Sequence, residues 1–172
     1  MQPKILSRCA MFTALLCICS WLSIPIPNGT VSLQTFALFL TLGLLGGKYG
    51  SLVCLTYLLL GSVGIPVFTG FRGGIGILLG TTGGYLWGFL AASLVYWVIT
   101  AKFGEKFKPI AMVSGLLACY ALGTLWFSLV YTVGDRSIWL IIGNCVVPYL
   151  IPDGIKLVLA HVLTKKLKRI LK

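Results

Sequence analysis

Apolar residues run in long blocks along this chain, and short clusters of glycine, proline and lysine separate them. A helix needs about 20 apolar residues to cross a hydrocarbon core, fewer where neighbouring protein shields its ends. The pattern predicts helices over 8–24, 33–47, 50–65, 83–101, 109–132 and 152–171. The breaks are Pro25-Ile26-Pro27-Asn28-Gly29, Gly46-Gly47-Lys48-Tyr49-Gly50, the glycine-rich run 70–84, Lys102 to Pro109, and Gly134 to Ser137. The stretch 138–150 is apolar but interrupted by Pro148 and followed by Pro152. It reads as a short or broken element leading into the last helix, with Pro152 in that helix's first turn.

Composition turns the pattern into a class. Of 172 residues, 58% are hydrophobic and 10% charged, against about 25% charged in a soluble domain, so the chain lacks the polar groups to cover a water-facing surface. The predicted fold is an all-α integral membrane protein of six transmembrane helices, with 1–172 forming one compact domain. A net charge of +11 raises nucleic acid as a partner, but the basic residues lie scattered between apolar spans without interleaved aromatics. No nucleic acid is expected. Lys4 and Arg8 before the apolar run 9–24 imitate a signal peptide. The run is long and no A-x-A site follows it, so a retained first helix is the expectation.

Orientation follows from the positive charges. With the N-terminus in the cytoplasm, that side collects Lys4, Arg8, Lys48, Lys102, Lys106, Lys108, Lys165, Lys166, Lys168, Arg169 and Lys172, and the outer loops keep Arg72 and Arg136. Eleven against two places both termini in the cytoplasm and leaves outer loops at 25–32, 66–82 and 133–151. Gly76, Gly80, Gly84, Gly88 and Ala92 recur every four positions, a smooth face for close helix approach. Around 70–84 the glycines are too dense for a plain helix, and irregular backbone over a protein-lined cavity is expected there.

Several motifs carry little chemistry. Gly43-Leu44-Leu45-Gly46-Gly47-Lys48-Tyr49 imitates a phosphate loop, but Tyr49 replaces Ser/Thr and no strand precedes it. Gly74-Ile75-Gly76-Ile77-Leu78-Leu79-Gly80 has the wrong spacing for a dinucleotide fold. Six cysteines lie in or beside apolar runs without CxxC or metal spacing and read as small buried residues. His161 has no carboxylate nearby in sequence and reads as interfacial.

Asp153 and Lys156 differ. Both sit inside apolar sequence, in a chain whose only other acids are Glu105 and Asp135. A charge at a membrane centre costs about 2.5–3.5 kcal/mol, so such a couple is a functional candidate. Two bland readings stand beside that one. The i, i+3 pair serves only to neutralise itself, or Asp153 serves only to complement the helix dipole near its N-terminus. The outer loops and the start of the last helix converge here, and Arg72 faces the same side.

At these residues the chain resembles the BioY family, the biotin-binding S components of energy-coupling factor (ECF) transporters. Val31-Ser32-Leu33-Gln34-Thr35-Phe36 is similar to the family's V-T-L-Q-T-F, and Leu58 to Gly61 through Gly64-Ile65-Pro66-Val67-Phe68 to L-L-L-G-x-x-G-x-P-V-F. Leu79-Gly80-Thr81-Thr82-Gly83-Gly84-Tyr85-Leu86-Trp87-Gly88-Phe89 resembles L-G-P-T-G-G-Y-L-x-G-F, with Thr81 for proline. Residues 148–156 resemble P-F-L-P-G-D-x-x-K, with Ile-Pro ahead of Asp153. Ala10-Met11-Phe12-Thr13-Ala14 fits the small-xxx-small motif that lies against the coupling protein.

The resemblance implies a biotin-capture subunit of the cell membrane, not an enzyme and without a cofactor. It implies presentation of biotin to a transmembrane coupling protein and two ATPase subunits; a solitary transporter, or an S component for another vitamin or precursor, is the alternative. An intramembrane enzyme built on His161 and a cysteine, or a scaffold with no small ligand, are the rivals from other classes. For biotin, Asp153 takes the ureido N–H side, Lys156 a ligand oxygen, and Arg72 the carboxylate. Tyr85, Trp87 and Phe71 are candidate walls, Gln34 a candidate polar contact, and 66–82 a candidate lid.

Overall fold

A computed structural model describes residues 3–26, 29–131, 142–143 and 145–170; Asp135, Arg136 and Lys172 lie outside them. The architecture is mostly helical. Helix α1 (Pro3–Trp21) leads into a hairpin of β1 (Ser23–Ile26) and β2 (Gly29–Ser32). There follow α2 (Gln34–Leu45), α3 (Gly47–Ser62), a short α4 (Ile75–Leu79) and α5 (Gly83–Phe103). A 3₁₀ turn at Glu105–Phe107 precedes α6 (Lys108–Tyr131), and α7 (Val147–Ile170) is the last helix described. Among the described residues, four helical segments are long and apolar enough to span a membrane: Pro3–Trp21, Gly83–Phe103, Glu105–Val130 and Val147–Arg169; Gln34–Leu45 is apolar but shorter.

The expected helices are present with shifted ends. The outer loop expected at 25–32 is a two-stranded antiparallel ribbon pairing Ser23 with Ser32 and Ile24 with Val31. The break expected at 46–50 shrinks to Gly46, whose φ of +82° turns α2 directly into α3. A Cβ at Gly46 would meet nothing within 4 Å, so Gly46→Ala tests backbone strain alone. It should cost about 1–2 kcal/mol, read as a lowered thermal midpoint in detergent with ligand binding intact.

The last helix begins at Val147 instead of 152, enclosing Pro152. Pro152 sits in the second turn, where its missing N–H removes a single bond to the first-turn carbonyls, so the helix tolerates it near this end. The regular small-residue face also divides. Gly76 and Gly80 lie before α5, while Gly84, Gly88 and Ala92 form the seam against α6. A Cβ on Gly84 would stand 2.2 Å from Trp126 Cβ, and one on Gly88 would stand 3.0 Å from the Cys119 carbonyl oxygen.

Helix α7 runs beside α2 in the same direction. Gly43 on α2 has no room for a Cβ, which would fall 2.3 Å from Thr164 Oγ1, so the two backbones approach closely and their N-terminal ends come together. Hydroxyls within the bundle fold back on their own helix: Thr13 donates to the Cys9 carbonyl at 2.9 Å and Thr164 to Ala160 at 2.7 Å. That satisfies polar groups where no water is available. Five of the six cysteines are buried and Cys145 is partly so.

Candidate functional site

The N-terminal ends of α2, α5 and α7 surround a cavity of about 430 Å³, with the hairpin and the 66–82 loop over it. Its charged lining among the described residues is Arg72, Asp153 and Lys156. Asp153 and Lys156 lie one turn apart on α7, 5% and 7% exposed, with Lys156 Nζ 2.7 Å from Asp153 Oδ1. Thr35 donates to Oδ1 at 3.1 Å and Tyr120 to Oδ2 at 2.7 Å. The i, i+3 pairing is formed, and more than that pairing holds the carboxylate. Asp153 is the seventh residue of α7, past the first turn, and three donors from three helices converge on its carboxylate.

Burial gives the couple its weight. Removing one member of a buried pair strands the other, at a cost of about 3–5 kcal/mol. Thr35 is positioned by the α2–α7 contact, and Tyr120 by the tight α5–α6 seam, so helix packing sets the carboxylate's orientation. Gln34, also buried, donates through Nε2 to the Tyr57 hydroxyl. The Tyr57 hydroxyl in turn donates to the Val67 carbonyl at 3.0 Å. This chain ties the cavity floor to the base of the loop above it. Ser20 donates to the same carbonyl and Trp21 Nε1 to Pro66 at 2.9 Å.

The loop is therefore anchored at 66–68 and turned at its tip, where Gly70, Phe71 and Gly74 have positive φ. Arg72, at that tip, is exposed, lines the cavity and has no carboxylate within ion-pairing distance among the described residues. Tyr85 also lines the cavity and donates to the Cys145 carbonyl at 3.4 Å.

Two expected wall residues lie elsewhere. Trp87 is 37% exposed and does not line the cavity; two positions beyond Tyr85 on a helix of 3.6 residues per turn, it points about 200° away. Phe71 is exposed and stacks on Trp21 with centroids 5.0 Å apart. Phe68, Phe89 and Tyr149 stand in the wall instead. The sequence alone does not single out Thr35 or Tyr120. Thr35 lies inside the Val31-Ser32-Leu33-Gln34-Thr35-Phe36 motif, whereas Tyr120, in an apolar run, carries no local signal. Ala10 and Ala14 are exposed on the outer face of α1, away from the cavity.

The BioY family profile matches residues 1–172. The chain belongs to the BioY family. It is 40% identical to the biotin transporter BioY of Thermotoga maritima over 96% of each chain. It is 36% identical to a probable biotin transporter BioY of Pyrococcus horikoshii over 98% of each. A crystal structure of the S component for biotin from an ECF-type ABC transporter superposes with a TM-score of 0.83 at 28% identity, covering 96% of this chain and 91% of that one. The BioY relationship and the apolar helices make this a membrane protein of a transporter family.

Proposed function

We propose that this chain captures biotin at the outer face of the cell membrane and presents it to an ATP-driven ECF module. The observation that carries the reading is the buried Asp153–Lys156 couple facing, with Arg72, a cavity that holds no other charge among the described residues. The names of the BioY relatives and the structural likeness to a biotin S component support the ligand.

Biotin offers two ureido N–H donors and a carbonyl, an apolar ring and chain, and an ionised carboxylate. Asp153 has about four lone-pair sites, and Thr35, Tyr120 and Lys156 take three, leaving room for one ureido N–H. Lys156 keeps donors for a ligand oxygen. Tyr85 and the other aromatic wall residues cover the apolar ring, and Gln34 borders it. Arg72 meets the carboxylate at the mouth. Arg72, Asp153 and Lys156 sum to +1, so anionic biotin brings the occupied site to zero and avoids burying a net charge.

In this reading α1, α2, α3, α5, α6 and α7 are six spans with both termini cytoplasmic. The shorter α2 and α3 are flanked by neighbouring helices that shield their ends. The exposed Ala10 and Ala14 form the small-residue stripe by which α1 lies against the coupling protein, with two ATPase subunits beyond it.

Isothermal titration of biotin into the purified protein in detergent tests the ligand, with desthiobiotin, thiamine and riboflavin as competitors. Saturable binding displaced by desthiobiotin alone is expected; absence of biotin binding, or displacement by thiamine or riboflavin, rejects it. Arg72→Gln should weaken biotin about three- to tenfold, a modest loss because the guanidinium is partly screened by water. Biotin amide, lacking the carboxylate, should bind the variant and the wild type alike. A variant that discriminates against the amide as wild type does would place the carboxylate elsewhere.

A further inference from the structure

The phosphate-loop-like stretch 43–49 takes no part in the cavity around Asp153. Its last four residues form the Gly46 turn and the first turn of α3, at the opposite end of the bundle. There a second hollow of about 250 Å³ lies among 46–49, Tyr96, Trp97, Glu105 and Lys108. Tyr96 is eleven residues along α5 from Tyr85, about 16 Å of helix rise.

The unsatisfied groups of this hollow are donors. Helix α3 has no side-chain cap, and its first bond at this end runs from Gly50 N–H to the Gly46 carbonyl at 2.9 Å. The N–H groups of residues 47–49 therefore precede the helical ladder. Tyr96, on the hollow's wall, is 0% exposed, and its hydroxyl has no hydrogen-bond partner among the described residues.

The acceptors nearby are already engaged. Glu105 takes Lys108 at 2.6 Å and Lys168 at 3.1 Å. The Thr100 hydroxyl donates to the Tyr96 and Trp97 carbonyls. Lys48 and Lys108 against Glu105 leave the lining at +1, and the N-terminal dipole of α3 adds to the positive field. A buried donor without a partner, free helix N–H groups and a net positive lining call for an anionic oxygen acceptor.

We propose that this hollow binds a phosphate ester, carried either by an anionic lipid headgroup or by a soluble phosphate. Trp97, at 39% exposed on its wall, supplies the amphipathic ring that suits a headgroup level. The inference does not depend on which vitamin fills the other cavity.

The test uses the full chain in detergent, stripped of lipid, with three probes: dioctanoyl phosphatidic acid, dioctanoylglycerol and inorganic phosphate. Native mass spectrometry should show saturable binding of the phosphatidic acid and none of the dioctanoylglycerol. Tyr96→Phe and Lys48→Gln should each weaken that binding about tenfold while biotin titration stays at wild-type values. Displacement by inorganic phosphate assigns the site to a soluble phosphate, and no displacement assigns it to a lipid headgroup. Equal binding of dioctanoylglycerol, or phosphatidic acid binding unchanged in both variants, overturns the proposal.

Discussion

Asp153→Asn is expected to weaken biotin binding by about 10- to 100-fold while the protein still inserts and elutes as a single species. The carboxylate receives donors on both oxygens, Thr35 and Lys156 on one and Tyr120 on the other. An asparagine has one acceptor oxygen and presents an NH₂ on its other side. The amide oxygen would face Lys156, whose ammonium has no acceptor capacity, and the tyrosine hydroxyl would turn to accept. What is lost is the charge. A hydrogen bond to an ionised group contributes about 1.5–3 kcal/mol net, and tenfold in affinity is about 1.4 kcal/mol. The charged lining also rises from +1 to +2, so bound anionic biotin no longer neutralises it.

Lys156→Ala should weaken binding similarly and lower thermal stability as well, because it leaves Asp153 buried with only neutral donors. Equilibrium binding of radiolabelled biotin to both purified variants checks this. Wild-type affinity in Asp153→Asn would remove the carboxylate from the ligand contact.

Gly84→Leu is expected to be the most damaging single change outside the cavity. Its Cβ would stand 2.2 Å from Trp126 Cβ, and Trp126 is held in place by a 3.0 Å bond from its Nε1 to the Gly80 carbonyl. Relief requires α5 and α6 to separate along the seam that also positions Tyr85 and Tyr120. Overpacking of this kind typically costs about 1–3 kcal/mol, and a clash of Cβ against Cβ, which no change of rotamer relieves, belongs at or above the top of that range. A thermal scan in detergent should show a clearly lowered midpoint with biotin binding reduced in parallel.

Gly76→Leu is the matched control. Nothing lies within 4 Å of a Cβ built there, and the position lines the cavity. That variant should keep its stability and lose ligand room instead. Equal midpoints for the two leucine variants would contradict the division of the glycines between seam and cavity.

The regular spacing from Gly76 to Ala92 hid that division. Spacing reports which residues would share a face if the helix were continuous, and the chain leaves the helix at 80–82. The same limit applied to Trp87 and Phe71. Adjacency to a motif says that an aromatic is nearby, but helical phase turned Trp87 outward, and a left-handed backbone at Phe71 placed its ring on Trp21. Pro152 misled in the opposite sense, since a proline close to a helix N-terminus marks a start only when nothing upstream is helical.

What the chain alone determined is its membrane character and its charged couple. Both follow from solvation: apolar blocks of this length have no stable home in water, and two ionisable residues within such a block are too costly to keep without a partner. The three-donor setting of Asp153 was beyond its reach, because Thr35, Tyr120 and Asp153 lie 33 to 118 residues apart. They meet only where glycines let α2 approach α7 and α5 approach α6. Those are distances between backbones, and packing decides them.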